Sequence, residues 1–464
     1  MLIFNSKTAT KEVLEPLGET VKIYVCGPTV YDHAHLGHAR SALSFDLLVR
    51  TLKALGFETF FARNITDVDD KIIKKMNETG KPLQEITEFY YQSYKSDLSA
   101  IGCLPPDIEP KATENIEEMA LMVQILLDKG FAYRTSSGDI YFDVSKDKDY
   151  MSLSHRKSDD LQSRLDGESG KKDTKDFVLW KAKNENDTLW FDTALGQGRP
   201  GWHLECSAMI HKHLAWHGEF QIDIHGGGSD LLFPHHENEC AQSRCAYGGE
   251  LSKIWMHNGF VTINSEKMSK SLGNGFSLNE AVALFGGEYV RNYLIQTHYR
   301  QNFNFSHDDL IASKKRLDRI YRLKKRIMDA ADTGKCDDDL RKSLLEALSN
   351  DMNISEALAL LEDFITKANE RLDSNQKDKD FKSSIKATLV FVEAVLGLGY
   401  KNPTEHFQQG VNDKEKENIN SLIIKRSEAK VAKDFTTADN IRQRLLDNGI
   451  AIMDTANGTV WEKI

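Results

Sequence analysis

The spacing of hydrophobic positions changes several times along this chain, and each change predicts an element. Val21 to Cys26 is a short apolar, β-branched run that passes through Gly27-Pro28-Thr29 into apolar residues at helical spacing from about Leu36 to Leu55. That order reads as strand, loop and helix. A second strand is expected near Phe57 to Ile65. From roughly Leu104 the alternation pauses and a charged stretch rich in Ser, Gly, Asp and Lys runs from Ser154 to Asp176. Strand character resumes at Phe220-Gln221-Ile222-Asp223-Ile224 and again from Ile254 to Val261. Past about Phe305 helical patterns dominate as far as Leu398. The final polar segment begins near Asn402. It holds a basic amphipathic run (Ile419 to Lys433), a helix from about Thr436 to Asn448 stopped by Gly449, and a hairpin through Asn457-Gly458 into Val460-Trp461.

This pattern predicts an α/β fold: a Rossmann-type nucleotide-binding domain split by an insertion, then an α-helical bundle and a small C-terminal module. The expected boundaries are 1–105 and 200–250 for the split domain, 106–199 for the connective insertion, 251–310 for a linker region, 311–400 for the bundle and 401–464 for the last module. At 464 residues, 40% of them hydrophobic and with no apolar run long enough to span a bilayer, the chain is expected to be free of membrane segments. Met1-Leu2-Ile3-Phe4-Asn5 lacks a basic region followed by a long apolar stretch, so no secretory signal is expected and the location should be cytoplasmic. The six cysteines stand without CxxC spacing, which fits reduced thiols better than a disulfide framework.

A formal net charge of -10 argues against a general nucleic-acid coat protein. It does not exclude RNA, because the charge is unevenly placed. Lys314 to Arg326 holds eight Lys and Arg against Asp318 alone, interleaved with Leu317, Ile320 and Leu323. That is a basic amphipathic helix whose cationic face is expected to meet phosphates.

Two strings about 230 residues apart carry the first chemistry: His35-Leu36-Gly37-His38 and Lys267-Met268-Ser269-Lys270-Ser271. The first falls at a predicted helix N-terminus, where amides and the helix dipole favour an anion and two imidazoles add donors. Gly37 leaves room there for a base or a phosphate to approach the backbone. The second lies in a segment, 264–275, with Ser and Gly and no apolar periodicity. Lysines on such a loop can close over departing pyrophosphate and stabilise charge that develops only in the transition state. The acids of Thr66-Asp67-Val68-Asp69-Asp70-Lys71 read most simply as a helix cap with carboxylates in the first turn.

Metal-ligating side chains are also spread along the chain. Cys26, just before the phosphate loop, should point into the mouth of the site. Cys206 lies in 201–207, and His235 and Glu239 are i, i+4 on a helix whose first turn suits Pro234. Two thiolates, an imidazole and a carboxylate would suit zinc. On spacing alone, His236 with Cys240 is an equally good pair, and His211, His213 and His217 form another cluster.

The two signature strings resemble those of the class I aminoacyl-tRNA synthetases, with Leu36 a mild variant in the first. The strings CGPTVYDHAHLGHAR (26–40), NITDVDDK (64–71), GWHLECSAM (201–209), GGGSDLLFPHHENE (226–239) and WMHNGFV (255–261) followed by KMSKSLGN (267–274) resemble the cysteinyl-tRNA synthetases specifically. The resemblance implies activation of L-cysteine by ATP with Mg2+ to an adenylate, then transfer to the 3′ end of tRNA(Cys). It implies catalytic roles for His35, His38, Lys267 and Lys270. Gly37, Lys270, Gly226, Gly227, Gly228 and Asp230 would stand around ATP, the glycines and Asp230 at its ribose or at the substrate amine. Gly27, Thr66 and Trp202 would line the amino-acid pocket. One Zn2+ per chain would be held by Cys26, Cys206, His235 and Glu239, and the C-terminal module would read the anticodon through Phe435 and Asp439. The family often has Trp where Phe435 stands.

Selection through zinc and the substrate thiol makes an editing activity unnecessary, since a serine hydroxyl is a poor soft-metal ligand. A monomer is the expected state. Two other readings share these strings: a cysteine:amino-sugar ligase with the same adenylate chemistry, which has no use for the module 402–464, and a non-catalytic RNA-binding or amino-acid-sensing paralogue, in which the histidines, lysines or ligands should be eroded.

Overall fold

The computed structural model describes residues 1–156, 170–263, 277–455 and 458–464, with backbone alone at Glu266 and Lys267. Four parallel strands form the central sheet in the order Glu250–Asn258, Phe220–Gly228, Thr20–Val25, Glu58–Arg63. Two of these strands precede the insertion and two follow it. Helices cover both faces of a parallel sheet, so its strands are apolar on both sides; Val21, Ile23, Tyr24, Val25, Ile222 and Ile224 are all buried.

The long central strand does not end at Ile224, where the apolar run stops. It continues to Gly228, with Gly226, Gly227 and Gly228 paired to Met256, His257 and Asn258. A side chain on Gly226 would bring its Cβ to 2.1 Å from the Phe45 ring of the Leu36–Ala54 helix. The glycines let the helix press onto the sheet, and that contact was not visible in the periodicity.

The chain between the two halves forms the Ile116–Asp128 helix and a five-stranded antiparallel sheet running from Ala132 to Pro200. They share a core of their own around Met119, Val123, Phe142, Leu179 and Trp180. Asp69 caps the Asp70–Thr79 helix by accepting from Lys71 N, and Asp70 in the first turn pairs with Lys181 and Arg199 of that antiparallel sheet. The acidic string is therefore a cap and a tie to the insertion.

Four longer helices, His307–Arg326, Asp338–Ser349, Ile354–Ser374 and Lys379–Leu396, pack beyond the Leu36–Ala54 helix and share its core. Part of the charge on the basic helix among them is engaged within the fold. Arg316 and Arg319 pair with Glu362, Arg326 with Asp373, and Lys325 with Glu462, while Lys324 donates to the carbonyls of Gly399 and Lys401. Three distant acids, which a local reading cannot supply, offset part of its positive charge.

The last residues form the Asp413–Val431 and Phe435–Asp447 helices and an Ile450–Thr455/Gly458–Lys463 hairpin around Ile419, Leu445, Ile452 and Trp461. Asn457, expected in the hairpin turn, lies outside the described residues.

Candidate active site and metal centre

In an open parallel sheet, ligands bind beyond the carboxyl ends of the strands where the winding direction reverses. Here that point lies between Thr20–Val25 and Phe220–Gly228, and a cavity of about 510 Å³ opens over it. Cys26, Gly27, His35, Gly37, His38, Trp202, Gly228 and Asp230 all line it.

His35 is the N-cap of the Leu36–Ala54 helix. Its Nδ1 accepts from Gly37 N at 3.0 Å, and His38 Nδ1 accepts from His35 N at 3.2 Å. Both Nδ1 atoms are acceptors, which places the ring proton of each neutral imidazole on Nε2. The rings stack with centroids 3.9 Å apart. The structure thus differs in detail from the sequence expectation: the Gly37 amide is capped by His35 instead of being left for an anion. A Cβ on Gly37 would stand 2.7 Å from the His35 ring, so this glycine makes room for the cap.

The second signature leaves the described chain at Lys267, paired with Thr262, and the chain returns at Ser277. There Ser277 bridges to His35 and Leu278 N donates to Ala34 O at 2.8 Å. The two ends of the segment are tied to the HLGH turn and its neighbouring sheet. Lys270 and the Lys267 side chain lie outside the described residues.

Four metal-ligating groups gather beside this cavity from three chain regions. Cys26 Sγ is 3.6 Å from Cys206 Sγ and 3.8 Å from Glu239 Oε1; His235 Nε2 is 3.6 Å from Cys206 Sγ and 3.0 Å from Glu239 Oε1. A tetrahedral zinc with ordinary bond lengths has edges of about 3.8 Å between sulfurs, about 3.6 Å from sulfur to nitrogen and about 3.3 Å between nitrogen and oxygen. The ring of distances fits that ion. The donor set also fits its chemistry, two soft sulfurs with a borderline nitrogen and an oxygen.

Three of the four ligands are held from behind. His203 Nδ1 is 3.0 Å from His235 Nδ1, His225 Nε2 is 2.7 Å from Glu239 Oε2, and His236 Nε2 is 3.3 Å from Cys26 Sγ. His236 Nδ1 meets His257 Nε2 at 2.8 Å, and His257 Nδ1 meets Ser6 Oγ at 2.7 Å. Cys26, His225, His236 and Glu239 are a second close group. Its His225–Glu239 contact, at 2.7 Å, falls further below a zinc-site edge than the 3.0 Å of His235–Glu239, and it offers one thiol, so it suits orientation of ligands better than ligation.

The electrostatics agree with a cation site. Burial opposes a charge on Glu239, yet His225 and His235 hold its carboxyl down at about 2. Burial likewise opposes the His235 imidazolium, but Glu239 and Cys206 hold it up at about 10. Burial pushes the Cys26 thiol well up. Against burial, the hydrogen bond from Cys26 holds Cys206 down at about 6, so the thiol pair keeps its proton on Cys26. Burial and neighbouring His235 depress His203 to about 3, and burial with neighbouring His225 keeps His236 neutral.

Trp202 opens the Trp202–His213 helix, is 40% exposed, and stacks on the His235 ring at 4.2 Å. Gly27 is pinned by close contact, since a Cβ there would fall 1.6 Å from Asn64 O. Thr66 does not line the cavity; it is buried behind it and donates to Glu205 Oε2 at 3.0 Å. Gly226 and Gly227 face Phe45 and His236 rather than the cavity, which takes only Gly228 and Asp230 from that string. His235 precedes the Glu237–Tyr247 helix, and Pro234 sits in the wide turn Leu232–His236 before it, not in its first turn. Cys240 belongs to neither metal-ligating group, His211 stacks on Tyr247, and His213 bonds Asn115.

Sequence reasoning missed His203, His225 and His257. The signal for His225 was a histidine breaking the apolar run of a buried strand.

The model for the tRNA synthetases class I (C) catalytic domain matches residues 13–315, and that for the DALR domain matches 344–401. Cysteine–tRNA ligases of a Nitratiruptor species and a Sulfurovum species are 56% and 55% identical, each over 100% of both chains. The chain belongs to the cysteine–tRNA ligase family. This enzyme family also includes a Helicobacter pylori protein that is 51% identical over 100% of both chains. Among solved structures, Mycobacterium tuberculosis methionyl-tRNA synthetase in complex with methionyl-adenylate superposes with a TM-score of 0.58, at 15% identity, over 88% of this chain and 94% of that one. A putative arginyl-tRNA synthetase from Campylobacter jejuni gives 0.53, at 14% identity, over 84% and 94%. At those identities the likeness is one of fold, and it is the fold of class I synthetases.

Proposed function

We propose that this chain activates L-cysteine with ATP and Mg2+ to cysteinyl-adenylate and transfers it to the 3′ end of tRNA(Cys), selecting cysteine through one bound zinc and without editing. The observation that carries this reading is the close group of Cys26, Cys206, His235 and Glu239, of which Cys26 lines the same cavity as His35 and His38. A zinc ion held by those four residues would accept the substrate sulfur as a further ligand, which a serine hydroxyl of nearly equal size does poorly. Rejection of an analogue lacking the needed partner reaches about 10⁴ to 10⁵-fold without a second sieve.

His35 and His38, each with its proton on Nε2, donate to the crowded phosphate at the dipole's positive end as the cysteine carboxylate attacks the α-phosphorus. Lys267 and Lys270 stabilise the departing pyrophosphate, and no side chain acts as a nucleophile. Gly228 and Asp230 stand on the ATP side of the cavity, while Trp202 and Gly27 bound the amino-acid side. A terminal ribose hydroxyl of tRNA then takes the acyl group.

The C-terminal module supports tRNA as acceptor and disfavours an amino sugar. Phe435 is 62% exposed at the start of its helix and Asp439 is exposed one turn on, so a ring and a carboxylate share a face suited to unpaired anticodon bases. The intact signature and ligand residues disfavour a silent paralogue. No helix among the described residues is long and apolar enough to cross a membrane, which supports a cytoplasmic place. One complete site per chain supports a monomer.

The test is charging of bulk tRNA with labelled cysteine and, separately, labelled serine. Charging with cysteine alone is expected. Cysteine-dependent pyrophosphate exchange without charging would shift the acceptor to an amino sugar, and charging with serine would remove the metal-selection argument.

A further inference from the structure

Arg40 is buried two residues beyond His38 on the Leu36–Ala54 helix, and no carboxylate meets it among the described residues. Its guanidinium donates instead to three carbonyls, that of Leu294 through Nη1 and those of Thr297 and His298 through Nη2, the last two at 2.8 Å. Burial pushes the group down to about 10, so it stays charged at neutral pH. Leu294 lies in the last turn of the Gly287–Ile295 helix, and Thr297 and His298 follow its end. Carbonyls there lack amide partners and carry the negative end of the dipole, which suits a cation. Burying a charge is costly, and apolar packing would join two elements with less desolvation. Apolar contact is non-directional, however, whereas the bonds of a planar fork fix one register.

The segment that Arg40 holds continues into the wall of the cavity. Gly259 N donates to Tyr299 O at 2.8 Å, Phe260 N to Asn302 Oδ1 at 3.0 Å, and Phe303 N to Phe260 O at 2.7 Å. Gly259, Phe260 and Val261 line the cavity. A Cβ on Gly259 would fall 2.4 Å from Gln301 O, so wall and segment lie backbone against backbone. Phe303–Phe305 then pairs in parallel with Val261–Ile263, whose Thr262 pairs with Lys267. The Arg40 guanidinium also lies 5.4 Å from the Phe303 ring. One side chain therefore joins the helix that begins after His35 to the strands that lead into the second signature string.

We infer that Arg40 is a positioning residue for adenylate formation: by holding the carbonyls of Leu294, Thr297 and His298 it sets the 259–263 wall and the approach to Lys267 in register with His35 and His38. The inference rests on the function proposed above and adds to it what aligns the two signature strings. Arg40 touches no reacting atom. It acts through the backbone it holds, so its loss should weaken stabilisation of the transition state more than binding of cysteine.

Arg40→Met fills much of the same space without donors, and Arg40→Lys keeps a charge but lacks the planar fork. Thermal melts and zinc content establish that each variant is folded. Cysteine-dependent ATP–pyrophosphate exchange then gives kcat and the KM for cysteine. The expected result for Arg40→Met is a fall in kcat of about ten- to hundredfold, the scale of a displacement of about 1 Å, with zinc content unchanged and the KM for cysteine within about twofold of wild type. Arg40→Lys should fall less, by about three- to tenfold, since an ammonium can still meet part of the carbonyl set. A lowered melting temperature with kcat unchanged in both variants would make Arg40 purely structural and overturn the inference. So would loss of zinc or a parallel rise in the KM for cysteine, which would mean general loosening of the site. If Arg40→Met does not fold, Arg40→Lys decides by the same criteria. Wild-type protein that gives no cysteine-dependent exchange would overturn the functional reading itself.

Discussion

Cys26 Sγ lies 3.6 Å from Cys206 Sγ, although 180 residues separate them in the chain. Closure of the split sheet produces this contact, since Cys26 follows the Thr20–Val25 strand and Cys206 sits on the Trp202–His213 helix after the insertion.

The pair leads to a metal prediction. Purified protein should contain one zinc per chain, and Cys26→Ser and Glu239→Gln should each lose most of it. Elemental analysis checks this; full zinc in both variants would remove the ligand set.

Lys270→Ala should lower the rate of adenylate formation by about 10²- to 10³-fold, the usual cost of one transition-state donor. Zinc content should not change. Pre-steady-state pyrophosphate release measures the effect, and an unaltered rate would take the lysine out of the scheme.

Arg291 is fully buried and donates to Asp46 Oδ2 at 2.5 Å and to the carbonyls of Leu396 and Gly102. It ties the helix that bears the HLGH turn to the end of the Lys379–Leu396 helix. Arg291→Ala leaves Asp46 without that buried partner and should destabilise the fold by about 3 to 5 kcal/mol. Denaturant unfolding should show this as an earlier transition.

Asp97 gives a pH prediction. Burial pushes its carboxyl up to about 6, and its Oδ2 has no hydrogen-bond partner. The folded state therefore binds more protons than the unfolded state between about pH 6 and its ordinary value near 3.8, and stability from this group rises as pH falls through that window. At pH 8 the buried charge costs stability. Asp97→Asn should raise the melting temperature at pH 8 and bring no such gain at pH 4, which thermal melts at the two values would reveal.

The sheet strands near Val21, Phe57 and Phe220, the Leu36 helix and the hairpin strands were legible because each follows from local periodicity. So were the two signature strings, whose spacing within a single turn or loop is a local property. The length of the Phe220–Gly228 strand was not, because Gly226 serves the Phe45 ring of another element. Nor were the partners of the basic helix, where Glu362, Asp373 and Glu462 offset part of the charge.

The sequence by itself offered the candidate groups for the proposed chemistry: the histidines at a helix N-terminus, the lysines of the second signature string, and the thiols, imidazole and carboxylate that suit zinc. Spacing could not choose between His235 with Glu239 and His236 with Cys240, since both are one helical turn apart. The tertiary structure supported the first pair, because His235 and Glu239 close a ring with Cys26 and Cys206, while His236 turns to His257 and supports Cys26 from behind. Ligation depends on distances between atoms far apart in the chain, and those distances exist only once the two halves of the sheet have paired.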